Sequence, residues 1–207
     1  RQCGKTYLLK EFGVRCYQDT AYFNFEENEA LKTVFEKDYD IKRIIFELEL
    51  QHGKKIQTEN TLIIFDEIQE CGRALTSLKY FCENAPEYHI VCAGSLLGIA
   101  LRKQLSFPVG KVDFMTLYPM SYVEFLRACG EEKLADFIQS FKKGDAIPEI
   151  AANKLEALLR QYYIIGGMPE CVSSWIAHKD PAKISQIQKE LIEVYENDFS
   201  KHNGKVN

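Results

Sequence analysis

Three short stretches of the chain carry side chains suited to work on a phosphate group. The first is Arg1-Gln2-Cys3-Gly4-Lys5-Thr6. Gly4, Lys5 and Thr6 fill the last three fixed positions of the pattern G-x-x-x-x-G-K-[ST], and the first glycine would fall just before Arg1. Backbone N–H groups of such a loop turn inward onto phosphate oxygens, at a helix N-terminus where the peptide dipoles also favour an anion. Residues Arg1, Gln2, Cys3, Gly4, Lys5, Thr6 and Tyr7 would then line the phosphates. Lys5 would reach the β- and γ-phosphates, and the Thr6 hydroxyl would ligate Mg2+.

The second stretch is Thr61-Leu62-Ile63-Ile64-Phe65, ending in Asp66-Glu67. An unbroken apolar run rich in β-formers predicts a strand buried on both faces, as in a parallel sheet. Acids at its C-terminal end lie where open α/β sheets bind ligands. Asp66 would hold Mg2+, directly or through water, and Glu67 would polarise an attacking water. The third is the run Tyr88 to Ala93, which ends in Gly94-Ser95. Ser95 would hydrogen-bond the γ-phosphate or the lytic water. The same pair also suits a strand-ending turn that caps the next helix, and the two readings are compatible. Taken alone, G-K-T fits an exposed turn and D-E fits a helix cap. Their order, with a helix, a strand and a further helix between them, makes them one site.

These residues need a sheet to hold them. Tyr7 to Phe12 reads as the helix that the loop opens, and Ala21 to Glu26 as an aromatic-rich strand. Asn28 to Lys37 reads as a short helix. Asp40 can cap the next, where Ile41, Ile44, Ile45 and Leu48 recur at helical spacing until Gly53. Leu75 to Asn84 and Leu96 to Gln104 read as helices, and Val112 to Leu117 as a strand stopped by Pro119. Ser121 and Glu124 form a capping box that opens a helix through Arg127. Beyond it only helices are expected: Leu134 to Phe141, Asn153 to Tyr163, and one marked by Ile184, Ile187, Leu191 and Val194 behind Pro181. Gly166-Gly167-Met168-Pro169 breaks the chain between them. Core packing is the expected use of Tyr162, Tyr163 and Trp175. The fold class is therefore α/β: residues 1–128 form a nucleotide-binding core, and residues 129–207 a helical lid.

The bulk numbers exclude other classes. With 207 residues, 46% of them hydrophobic, the chain can bury a sizeable core. Its net charge of -4 argues against a nucleic-acid surface spread over the whole chain. No apolar run approaches the roughly 18 residues of a membrane span. Seven cysteines without a C-x-x-C pair point away from a zinc site or disulfide framework, and towards reduced thiols in the cytoplasm. A start at Arg without a leader, and a polar end without a stop signal, suggest a fragment cut at both ends.

The ordered set Gly4-Lys5-Thr6, Asp66-Glu67-Ile68-Gln69, Ala93-Gly94-Ser95, Leu117-Tyr118-Pro119-Met120-Ser121 with Glu124-Phe125, and Gly166-Gly167-Met168-Pro169-Glu170 resembles a family of prokaryotic AAA+-type P-loop ATPases. The resemblance covers most of the chain. It implies an ASCE-type P-loop sheet with strand order 5-1-4-3-2 that binds ATP with Mg2+ and hydrolyses it. It also implies a C-terminal domain beyond Asn207, through which a protein or DNA partner would be engaged. The alternative within this resemblance is a nucleotide-gated switch or scaffold with little turnover. The chain departs from the family pattern in lacking the first strand and first glycine. It also carries Gly110-Lys111 where a G-R pair is usual. Lys111 and Arg102 are candidate arginine-finger equivalents, and solvated surface charge is the competing reading for both. Oligomeric state is not readable from the sequence.

Overall fold

The computed structural model describes residues 2–94 and 110–203. Two compact units divide the chain, Cys3–Thr116 and Leu117–Asn207.

In the first unit, α1 (Lys5–Cys16) leads to β1 (Asp19–Asn24), α2 (Ala30–Glu36) and α3 (Ile41–His52). Strand β2 (Thr61–Asp66), a 3-10 turn (Ile68–Glu70), α4 (Gly72–Asn84) and β3 (His89–Cys92) follow. The strands stand in the order β1-β2-β3, and both pairs are parallel. Three parallel strands with flanking helices fit the expected α/β fold. Parallel neighbours need crossover connections, which α2 with α3 and then α4 supply.

Strand β2 is buried at every position, as its uninterrupted apolar run requires. Its two faces differ. Ile63 and Phe65 join Ala21 and Phe23 of β1, and Phe25 just beyond it, in a core with Leu31, Val34, Phe35, Ile44, Leu48, Leu75 and Phe81 from α2, α3 and α4. Phe65 stands at the centre, with the rings of Phe23, Phe25 and Phe35 at 6.1, 5.5 and 5.8 Å. Each large apolar side chain buried in this way contributes about 1.5–3 kcal/mol. By the two-residue period of a strand, Leu62, Ile64 and Asp66 point to the opposite face. The local signals behaved as expected: Asp40 Oδ1 caps α3 by accepting from the Lys42 N–H at 2.9 Å, and Gly53 closes it in the left-handed conformation.

Residues Val112 to Leu117 do not form the expected strand. An extended segment becomes a strand only when a neighbour takes up its backbone hydrogen bonds, and no described strand lies beside it. The expected helix Leu96 to Gln104 lies outside the described residues.

The second unit is helical: α5 (Tyr122–Ala128), α6 (Glu132–Ser140), α7 (Glu149–Ile165), α8 (Pro169–His178) and α9 (Pro181–Asn203). Ser121 and Glu124 form the capping box in full. Phe125, Ile165, Cys171, Val172, Ile184, Ile187 and Leu191 make its core, with Tyr162 and Trp175 packed against them. Tyr163 is 76% exposed, against expectation, because its neighbour Tyr162 takes the inward position on α7. Helix α8 was not expected at all. Pro169 reads as a chain breaker, yet it occupies the first helical turn, where a proline lacks nothing the helix needs.

Candidate functional site

The site is assembled at the start of α1 and the C-terminal end of β2. Gly4 precedes α1 with φ 84° and ψ 22°, a left-handed conformation that favours glycine. The first backbone bond of the helix runs from the Leu8 N–H to the Gly4 carbonyl at 2.9 Å. The N–H groups of Lys5, Thr6 and Tyr7 therefore have no partner within the helix, and no side chain caps it. No acidic residue occupies the first turn. This helix end is chemically prepared for an external anion. The Lys5 ammonium enters no ion pair among the described residues.

Asp66, only 3% exposed, ends β2 facing α1. Its Oδ2 accepts the Thr6 hydroxyl at 2.7 Å and the Tyr22 hydroxyl at 2.8 Å. Its Oδ1 accepts the Glu67 N–H at 3.1 Å. No cationic side chain pairs with Asp66 among the described residues. A carboxylate removed from water without an opposing charge is expensive, at several kcal/mol. A buried carboxylate beside a hydroxyl is also a hard-oxygen donor set of the kind Mg2+ prefers. Thr6 and Asp66 thus fit a Mg2+ ion and would hold it.

Glu67 turns the chain out of the strand with φ 48° and ψ 43°, a left-handed conformation unusual for a residue with a Cβ. One carboxylate oxygen, Oε2, accepts from the Gln69 side-chain amide. Gln69 Oε1 is buried without a hydrogen-bond partner among the described residues. The next strand braces this corner: the Ile68 N–H donates to the Ala93 carbonyl at 3.2 Å, and the Ala93 N–H to the Phe65 carbonyl at 2.9 Å.

The structure brings Gly4, Lys5 and Thr6 to the same end of the sheet as Asp66 and Glu67. Gln2 and Cys3 lead into the turn at Gly4, and Tyr7 is 74% exposed on α1. Arg1, Ser95 and Arg102 lie outside the described residues. Lys111 pairs with Glu83 at 3.3 Å. Sequence reasoning gave no role to Tyr22 or to Gln69. Tyr22 was legible only as the odd position in a strand whose neighbours Ala21 and Phe23 face the core. Burial and the neighbouring Asp66 hold its hydroxyl well above the ordinary phenol range, so it remains a donor.

A family model described as AAA domain matches residues 1–126, more than half of the 207-residue chain. The chain belongs to the AAA domain family. The match shows an AAA-type, P-loop ATPase-like domain, and the parallel sheet with its flanking helices agrees with that α/β fold. A second model, described as a domain of unknown function (DUF8612), matches residues 156–207 of this AAA domain protein. No curated protein and no solved structure matches the chain. No described helix is long and apolar enough to cross a membrane.

Proposed function

We propose that this AAA domain protein binds ATP with Mg2+ and hydrolyses it. The observation that carries the reading is the buried Asp66 carboxylate, held by the Thr6 hydroxyl and lacking a cation among the described residues. The open N–H groups at the start of α1 support it as an anion site beside a cation site.

In this reading the N–H groups of the loop and the Lys5 ammonium bind the phosphates and offset their charge. Thr6 and Asp66 hold the metal, which when bound would neutralise charge on the β- and γ-phosphates. Glu67 orients the attacking water and draws on its proton. Its departure from Gln69 would accompany that task. Ser95 would contact the γ-phosphate or the same water. Catalysis of this kind rests on positioning and electrostatics, since little covalent chemistry falls to the protein.

The test is a pair of substitutions in the full-length protein. Lys5→Ala should abolish ATP binding. Glu67→Gln should keep ATP binding while lowering steady-state phosphate release by about a hundredfold or more. Turnover of Glu67→Gln at the parent rate would overturn the assignment.

A further inference from the structure

Tyr22 lies outside the motif set and touches its metal-holding carboxylate. In β1, Asn24 stands in register with Asp66 of β2, and Tyr22 with Ile64. Tyr22 and Asn24 share a face by the strand period, so the tyrosine reaches forward along the sheet to the Asp66 level. A phenol ring with its hydroxyl spans about the two-residue rise of roughly 6.6 Å. Its hydroxyl donates to Asp66 Oδ2 at 2.8 Å.

The ring is fixed in turn from α1. Lys10 Nζ stands 3.7 Å from the centre of the Tyr22 ring, a cation over a π-face. Lys10 follows Thr6 by four residues, so the two side chains leave α1 on one face. Thr6 goes to Asp66 and Lys10 to Tyr22, and Tyr22 closes the circuit by bonding Asp66. Helix and sheet are thus tied at Asp66 Oδ2.

We infer that Tyr22, steadied by Lys10, is a positioning residue that orients the Asp66 carboxylate for the divalent cation. This rests on the ATP–Mg2+ reading above. Residues one step behind a metal ligand fix its orientation, and their loss weakens metal affinity by about 10- to 100-fold. The Tyr22 hydroxyl bonds Asp66 and its ring meets Lys10, so its effect is expected on the metal and not on metal-free nucleotide binding.

The experiment uses Mn2+ as the probe, titrated by electron paramagnetic resonance into the full-length protein with ATP present. Tyr22→Phe keeps the ring and removes only the hydroxyl. It should weaken Mn2+ binding by about tenfold or more and raise the Mg2+ concentration needed for half-maximal turnover in parallel. ATP affinity measured in EDTA should stay at the parent value. Lys10→Met should move the same readouts by about two- to fivefold. Tyr17→Phe, which removes a hydroxyl bonded to His89 in the same unit, is the control and should change neither. A Tyr22→Phe protein that binds Mn2+ like the parent overturns the inference, even if it melts earlier. A parent that binds no Mn2+ with ATP overturns the nucleotide reading, and the inference with it.

Discussion

At the scale of single residues, two strand carboxylates differ in whether a cation answers them among the described residues. Asp66 and Asp19 are both strand carboxylates. Asp19, at the other end of β1, is answered locally: His52 bonds its Oδ2 at 2.8 Å and Lys54 its Oδ1 at 3.4 Å. The hydrogen bond from His52 holds the Asp19 carboxyl below its ordinary value of 3.8, against the opposing pull of burial. A lowered folded value means that the stabilisation is complete above pH 4. It is lost as the pH falls from there through the folded value. His52→Ala should therefore lower stability most at neutral pH, read by urea unfolding followed with circular dichroism, and its difference from the parent should shrink as the pH falls through the folded value of Asp19. Asp66 has no such cationic answer among the described residues, and that difference supports the proposed metal role for Asp66 and a structural one for Asp19.

At the scale of elements, two glycines set how closely neighbours approach. Gly13 lies on α1 where it meets β1, and a Cβ there would stand 2.3 Å from Thr20 Oγ1. Gly13→Ala should cost about 1–3 kcal/mol by overpacking, measured by urea unfolding. Part of that is recoverable by Thr20→Ala, because the obstruction is a side chain. Gly167 is different. A Cβ there would meet the Met120 carbonyl at 2.1 Å, while the Met120 N–H donates to the Gly167 carbonyl at 2.7 Å. A backbone carbonyl cannot rotate away. Gly167→Ala should reach the upper end of that range, about 3 kcal/mol or more, with no single side-chain rescue. The Tyr162 hydroxyl reaches the same Met120 carbonyl at 2.7 Å, so Tyr162→Phe should cost about 1 kcal/mol in the same assay. The G-G-x-P turn thus anchors the start of the helical unit and does more than interrupt it.

At the scale of the whole molecule, cysteine reactivity reports on folding of both units at once. Cys16 and Cys82 are exposed, whereas Cys71 and Cys171 are buried. Burial pushes the Cys92 thiol up to about 12, so almost none of it is thiolate at neutral pH. A thiol reagent at pH 7.5 should label Cys16 and Cys82 within the mixing phase. Cys71 and Cys92 should follow unfolding of the first unit, and Cys171 unfolding of the second. Mass spectrometry of the labelled peptides checks the order. Fast labelling of Cys92 in the folded protein would contradict its packing at the sheet.

The sequence alone determined the elements whose signals are local. The apolar run of β2, the caps at Asp40 and Ser121, and the G-K-T helix start are each decided by neighbouring residues and by backbone chemistry. It also nominated Gly4, Lys5, Thr6, Asp66 and Glu67, by type and order, as the side chains proposed to do chemistry. Pairing was decided only in three dimensions. Val112 to Leu117 has strand composition but no described neighbour, and a strand exists only through its partner. Pro169 starts a helix instead of ending one, because Cys171 and Val172 gain a core to face. Tyr22 joins the site because parallel register sets it beside Asp66 and Lys10 covers its ring, across 44 residues of chain that no local pattern spans.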